Sequence, residues 1–326
     1  MSFNDIPKIE EPDFYIDLAF KRANSAAYES RANSEGTRKD KSKIIERAKL
    51  NEIKHVIIKQ MELITKSFPS LDDLPEFYKE MIKAIADFDE LKKALGAIQW
   101  VSQKTSEFTS KYESKISKTW ELQTINQHRR EYYGRISSLL KQIKKELALL
   151  EKARNGMREF PQIKTKMFTI AILGFPNVGK TTLLSQLTES KPNIQNYAFT
   201  TVNINVGYMK AGHDKIQVLD TPGTLNRFNK MNPIEKQAYL AVKYCADLII
   251  YIFDVAESSY PITEQEELII AIKEFDKPTL FYLSKTEMQV DKELVERITK
   301  KYKPLTLEQI KKEILKRKPK HLDIDQ

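Results

Sequence analysis

Apolar residues recur along the first half of the chain at helical spacing. Ile53, Ile57, Met61, Ile64 and Phe68 are three or four positions apart; Phe77, Met81, Ile85, Phe88 and Leu91 continue the rhythm, and Ile136, Leu140, Ile143, Leu147 and Leu150 repeat it. Residues at these intervals share one helix face, so each stretch predicts an amphipathic helix. Between Phe77 and Phe160 there is no proline, and glycine occurs only at Gly96, Gly134 and Gly156, the punctuation of long helices. An apolar stripe needs a facing layer, so residues 10–158 predict an all-α antiparallel helical bundle. Trp100, Phe108, Tyr112 and Trp120 are expected in its core rather than on an RNA-stacking surface.

After Pro161 the pattern changes. Phe168–Leu173, Lys215–Leu219, Leu248–Phe253 and Thr279–Leu283 are short, β-prone apolar runs. Between and after them lie the helix-like segments Thr181–Leu187, Pro233–Lys243 and Thr263–Lys273. Strands too apolar to have a wet face, alternating with helices, predict an α/β domain with a buried, largely parallel sheet covered on both sides. The expected organisation is a bundle over 1–160, an α/β P-loop domain over 161–310 and a basic helix or tail over 311–326.

Composition adds location and charge. At 326 residues and 41% hydrophobic content the chain can build two cores. Cys245 is the only cysteine, which excludes an intramolecular disulfide and suits a reducing compartment. The N-terminus lacks a basic and apolar leader, and the run 246–256 is interrupted by Asp247 and Asp254, so a cytoplasmic protein without a membrane span is expected. The net charge of +9 is local: residues 101–160 carry thirteen basic against seven acidic residues, and 301–326 eight against four. Such clustering fits an electrostatic footprint for RNA, with Arg129, Arg130, Arg135, Lys141, Lys144 and Lys145 as candidate phosphate contacts; a solvated helix face has the same composition.

The chemistry begins at Gly174, where GFPNVGKTTL joins a strand to a helix and matches the P-loop pattern. Gly174 and Gly179 permit the turn, the loop Pro176, Asn177 and Val178 runs between them, and backbone amides at a helix N-terminus favour phosphate. Lys180 is placed to reach the β- and γ-phosphates and Thr181 to put its hydroxyl on Mg²⁺. Asp220-Thr-Pro-Gly223 follows the strand ending at Leu219, forty residues after Lys180. Asp220 suits the Mg²⁺ hydration shell and the Gly223 amide the γ-phosphate. Tyr197–Thr201 supplies a threonine for a further Mg²⁺ position. This order of motifs is that of a switch GTPase.

Residues 160 to about 300 resemble the nucleolar GTP-binding protein 1 family within the Obg-related group. GFPNVGKTTLL, NYAFTTVNINVGYM and QVLDTPGTLNRFNKMNPIEKQAYLAV carry the resemblance, and the helical half leading into REFPQIKTKMFTIAILG is similar to that family's N-terminal bundle. The chain stops soon after the P-loop domain and looks like the short archaeal-type form. The resemblance implies a GTPase acting in large ribosomal subunit assembly, with GTP or GDP and Mg²⁺ bound, the precursor particle's rRNA and ribosomal proteins as partners, and a monomer off the ribosome. Lys180, Thr181 and Thr182 fall on its phosphate and Mg²⁺ positions, and Thr201 on the Mg²⁺-binding threonine of the first switch. Asn177 falls where related GTPases can ligate K⁺.

Two departures modify this expectation. Thr224 stands where Ras-like proteins place a water-orienting glutamine, which predicts slow turnover. The base-reading Asn-Lys-x-Asp appears as Ser284-Lys285-Thr286-Glu287, which predicts weakened guanine preference and leaves an Obg-like ATPase open. An RNA-binding scaffold whose nucleotide is mainly structural is the other alternative. The fifth motif is expected near Lys303 to Thr306.

Overall fold

A computed structural model of the chain describes residues 3–32, 34–188, 193–195, 204–212, 214–221 and 233–319, and the structural statements below concern these residues. The chain divides into two compact units, one of residues 2–74 and 82–158, the other of residues 75–81 and 159–326.

The helical unit draws on α1 (Pro12–Ala32), α2 (Arg38–Ser67), the end of α3 (Glu76–Ile85), α4 (Phe88–Lys118), α5 (Leu122–Gln142) and α6 (Lys144–Arg158). Of the expected stripes, Ile53, Ile57 and Met61 from α2, Leu91 from α4, Ile136 and Leu140 from α5 and Leu150 from α6 are buried, joined by Ile98 and Val101 of α4, whereas Ile85 and Phe88 are only half-buried. Tyr132 brings a hydroxyl into this core, where it meets Thr109 Oγ1 at 2.8 Å and donates to Leu50 O at 3.3 Å. A buried phenol needs such partners.

Two stripes that read as single helices are broken. Phe77 to Leu91 spans α3 and α4 because Asp87 adopts an extended conformation and its carboxylate accepts from the amides of Asp89 and Glu90, capping α4. Ile136 to Leu150 spans α5 and α6, with the break at Ile143, whose amide donates to Leu140 O. The three-and-four spacing persists across both interruptions, so periodicity alone does not register them. The aromatic expectation is also corrected. Tyr112 is buried, but Trp100 is 38% and Trp120 77% exposed. Trp120 lies in the turn between α4 and α5, beyond the helix faces that the bundle covers.

The second unit is built on β1 (Thr169–Leu173), α7 (Lys180–Leu187), β2 (Asn193–Gln195), β3 (Ile204–Ala211), β4 (Asp214–Asp220), α8 (Pro233–Cys245), β5 (Leu248–Asp254), α9 (Ile262–Ile272), β6 (Thr279–Ser284), α10 (Lys292–Tyr302) and α11 (Leu307–Arg317). The sheet order is β2-β3-β4-β1-β5-β6. β4, β1, β5 and β6 are parallel, and every residue of β1 and β5 is buried, as strands covered on both faces must be. β2, β3 and β4 are antiparallel, which makes the sheet mixed. Ala211 pairs with Asp214 across a two-residue connection containing Gly212 at φ +70°, and so short a link joins only antiparallel strands.

Residues 75–81 contribute Phe77 and Tyr78 to this unit's interior. The Tyr78 hydroxyl donates to Pro161 O (3.2 Å) and Ile163 O (3.0 Å), and burial pushes its pKa up to about 12. Among the described residues no helix is long and apolar enough to cross a membrane.

Candidate functional site

The loop 174–179 leaves the C-terminal end of the central strand β1, where parallel sheets present their ligand-binding crevice. Gly174 has φ +151°, and a Cβ there would lie 2.9 Å from Ile252 O, so both conformation and space require glycine. Asn177 turns the loop in the left-handed region at φ +62°, a conformation asparagine tolerates, and its side chain is exposed. Val178 is buried, Pro176 half-buried and Thr182 exposed. Gly179, at φ +98°, is the residue from which α7 starts, so the first-turn amides of α7 face the loop.

Lys180 is buried, and its ammonium donates to Gly174 O at 3.1 Å and Phe175 O at 2.6 Å. Burial lowers its pKa to about 8, against the opposing influence of Asp220. The loop's own carbonyls thus hold the cation where phosphate oxygens would replace them. Thr181 Oγ1 donates to Asp220 Oδ2 at 2.7 Å. This converging hydroxyl and carboxylate are hard oxygen donors of the kind Mg²⁺ takes, so the residues fit the ion. Asp220 is buried at the end of β4, next to Thr221, whose hydroxyl donates to Ile172 O at 3.0 Å.

Asn205 belongs to the same cluster and is not part of the sequence-derived set. Its Nδ2 donates to Asp220 Oδ2 at 2.9 Å, because the β3–β4 register sets Asn205 opposite Asp220. Only strand register reveals this pairing. Thr201 and Gly223, together with Thr224 and the segment Tyr197–Thr201, lie outside the described residues.

The segment expected from the sequence to read the base begins at the end of β6. A Cβ on Gly179 would come within 3.7 Å of Ser284 Cβ, so the structure brings this segment to the phosphate loop. Ser284 Oγ donates to Phe253 O at 2.9 Å and fixes the strand end. Lys285, at φ +59°, donates its ammonium to Asp254 Oδ2 at 2.7 Å and to Ser258 Oγ. Asp254 is fully buried; burial alone would raise its pKa, but the hydrogen bonds from Lys285 and Ser258 prevail and hold it below the usual carboxylate range. Gln265 locks the strand around it, accepting from Asp254 N at 2.9 Å and donating to Asp254 O at 3.0 Å. Asp254, Ser258 and Gln265 are further residues absent from the sequence-derived set; Asp254 showed there only as a polar break in an apolar run. Glu287 is exposed. The segment Lys303 to Thr306 is tied to the middle of β6, Leu305 N donating to Phe281 O at 2.8 Å, and Thr306 caps α11.

The candidate RNA contacts lie in the helical unit, where three of the six are engaged internally. Arg129 pairs with Glu46 at 3.2 Å, Lys141 with Asp13 at 3.4 Å and Lys144 with Glu11 at 3.3 Å.

Comparison with known proteins bears on both units. Residues 3–164 match the NOG1 N-terminal helical domain, and residues 169–285 match the 50S ribosome-binding GTPase family. An uncharacterized protein of Methanocaldococcus jannaschii is 36% identical over 90% of this chain and 83% of its own length. Nucleolar GTP-binding protein 1 of Drosophila melanogaster is 30% identical over 73% of this chain and 37% of its own length; that of Saccharomyces cerevisiae is 29% identical over 71% and 36%. The match therefore spans little more than a third of these eukaryotic relatives. Among solved structures, a candidate nucleolar GTP-binding protein 1 of Plasmodium falciparum is similar over 48% of this chain and 90% of its own, at 27% identity and a TM-score of 0.39.

These names overturn the cytoplasmic expectation, because the fly, yeast and Dictyostelium discoideum relatives carry nucleolar designations. The expectation rested on a missing leader and a single cysteine, and a nucleolar protein needs neither apolar span nor disulfide, so those features do not separate the two locations. The helical unit and the P-loop unit match in the same chain order, and the archaeal relative aligns along most of its length. The chain belongs to the nucleolar GTP-binding protein 1 family, with an N-terminal helical domain followed by a GTPase domain.

Proposed function

We propose that the chain is a Mg²⁺-dependent GTPase switch that acts in assembly of the large ribosomal subunit. In this reading residues 1–160, apart from 75–81, which belong to the GTPase unit, dock on rRNA and ribosomal proteins of the precursor particle, 161–310 couple docking to nucleotide state, and 311–326, which begin inside α11, form a basic C-terminal helix and tail. The observation that carries it is the convergence of Lys180, Thr181 and Asp220 at the end of the central strands, in a domain matching a ribosome-binding GTPase family.

On nucleotide entry the ammonium of Lys180 would leave the carbonyls of Gly174 and Phe175 for the β- and γ-phosphates, and the loop and α7 amides would offer donors to the remaining oxygens. Thr181 and Asp220, with Thr201 from the first switch, would hold Mg²⁺, which would supply positive charge against the phosphates. The Gly223 amide would sense the γ-phosphate. With Thr224 in place of glutamine the chain offers no water-orienting amide there, so isolated turnover is slow. Asn177, at the exposed turn of the loop, is a candidate K⁺ ligand supplying some of the missing charge stabilisation. Single-turnover hydrolysis should then be faster in potassium than in sodium, and Asn177→Ala should abolish the difference; equal rates in all four conditions reject this role.

A second reading, an Obg-like ATPase, draws on Ser284, whose hydroxyl is committed to Phe253 O rather than offered to a base. Both readings meet one experiment: co-sedimentation of the protein with precursor large-subunit particles in the presence of GDP, a non-hydrolysable GTP analogue, or their adenine counterparts. Tighter association with the GTP analogue alone supports the proposal. Association that ignores the nucleotide favours a constitutive scaffold, since a ligand shifts only equilibria whose states it binds unequally.

A further inference from the structure

The exposed Trp120 stands where α2, α4 and α5 meet. Lys43, from the second turn of α2, is anchored by a 3.0 Å hydrogen bond to Ser117 O and lies 4.8 Å above the indole ring. With 77% of the residue open to solvent, the indole is held by a cation and packs into no core. The start of α2 beside it reads Arg38-Lys-Asp-Lys-Ser-Lys43, and its one acid, Asp40, is consumed by the capping box with Thr37. A recess of about 470 Å³ at this end is lined by Arg31, Arg38, Lys41, Ser42, Ile45 and Glu46, with Gly36 at its turn. Glu46 is already paired with Lys49 at 2.8 Å and Arg129 at 3.2 Å, so its charge does not oppose an anion there. Arg31, Arg38, Lys39, Lys41, Lys43 and Lys118 outnumber Glu35, Asp40 and Glu121 at this end.

We propose that this end of the helical unit is a single-stranded RNA site: an unpaired base stacks on Trp120 backed by Lys43, and backbone phosphates settle on Arg31, Arg38 and Lys41. The proposal rests on the rRNA-docking reading above and moves the contact from Lys141 and Lys144, which are paired internally, to the start of α2, which Arg129 borders through its pair with Glu46. RNA is favoured over an acidic protein segment because an open aromatic ring among cations matches the two surfaces of a single strand, its base faces and its phosphates. An acidic peptide uses the charges but not the ring.

The sequence contains two tryptophans, so Trp100→Phe leaves Trp120 as the sole indole reporter. Full-length protein is titrated with a labelled oligouridylate of about 12 nucleotides, a length matching single-strand site sizes, following tryptophan emission and RNA anisotropy together. The expected result is quenching of Trp120 in step with binding, and an affinity at least about tenfold lower for Trp120→Ala, in line with one stacked base. Trp120→Phe should keep part of the affinity. Arg38→Glu with Lys41→Glu should flatten the slope of log affinity against log salt by about 1.4, the single-strand value for two phosphates. GDP binding should be unchanged in each variant. RNA binding that leaves Trp120 emission unchanged and is equal in Trp120→Ala overturns the site while leaving rRNA docking intact. Absence of RNA binding, with precursor-particle binding abolished by Trp120→Ala, overturns the RNA assignment and makes the patch a protein contact.

Discussion

Replacing Asp254 with asparagine tests how residues 284–287, the segment proposed to read the base, are held. The carboxylate is fully buried and accepts three hydrogen bonds: from Lys285 Nζ at 2.7 Å, Ser258 Oγ at 2.6 Å and Ala256 N at 3.1 Å. Asparagine either keeps its oxygen on the Ala256 amide and turns an NH₂ donor toward the Lys285 ammonium, or presents a neutral oxygen to Lys285 and an NH₂ donor to the Ala256 amide. A hydrogen bond to a charged group contributes about 1.5–3 kcal/mol. The Lys285 side chain is 21% exposed, so water recovers part of its share, and a net loss near 2 kcal/mol is expected. In a unit of this size that corresponds to a Tm lower by about 4–8 °C. Because the same bond fixes Lys285 at φ +59°, GDP affinity should also fall, by about tenfold to thirtyfold. The pH dependence has a definite sign. The folded carboxyl lies below its unfolded value, so the pair's contribution is complete above the unfolded pKa of about 3.9 and is lost as pH falls through the folded pKa. The difference in Tm between wild type and Asp254→Asn should be constant from neutral pH to about 5 and close in stronger acid. Thermal melts across pH and calorimetry with GDP measure both quantities. Unchanged Tm and GDP affinity at pH 7, or a difference that persists in acid, refutes the reasoning.

Three other substitutions probe the site. Glu287→Ala should reduce discrimination between GDP and ADP, because adenine offers no donor at N1 to a carboxylate while guanine does; calorimetry with both nucleotides decides, and an unchanged ratio removes Glu287 from base recognition. Asn205→Ala takes one donor from Asp220 Oδ2, so Mg²⁺ should slow GDP release about fivefold less than in wild type, with release in EDTA unaffected; equal Mg²⁺ effects would show that Thr181 alone positions the carboxylate. Gly207→Ala places a Cβ 2.6 Å from Thr188 Cγ2 and 3.0 Å from Leu184 Cδ1, so these side chains must be displaced at the β3–α7 contact. Overpacking of this kind costs about 1–3 kcal/mol, readable as a lower denaturation midpoint with an unchanged m-value.

The fold was legible in the sequence where one physical rule dominated. β1 and β5 are continuous apolar runs because both faces are covered, and Gly174 to Thr181 combines special backbone conformations with charged chemistry at fixed spacing. β3 escaped because its half-buried pattern is interrupted by Gly207, which is glycine for the sake of α7, a contact remote in sequence. Asp87 illustrates a different limit. The apolar register runs on through the residue that ends one helix and starts the next, so the cap is visible only to a reader weighing side-chain acceptors against periodicity. Trp120 and Tyr112 are both aromatic residues near the end of α4; which is buried depends on where α5 returns, not on residue type. Asn205 and Asp254 act through partners set by strand pairing and by β5 and β6 ending side by side.

The hydroxyl of Tyr78 gives the order of synthesis a particular significance. Its acceptors, the carbonyls of Pro161 and Ile163, follow it by 83 and 85 residues. At about 5–20 residues per second, translation supplies them some 4–17 s after Tyr78 itself. Residues 75–81 therefore emerge as an early instalment of the GTPase unit, ahead of 82–158, which complete the helical one. A fragment begun at residue 161 would contain the P-loop but lack Phe77 and Tyr78, and with them the buried aromatic surface and the hydroxyl that Pro161 and Ile163 share. Ownership of the chain and order of manufacture are interleaved, and the nascent protein must leave seven residues waiting for a unit that has not yet been made.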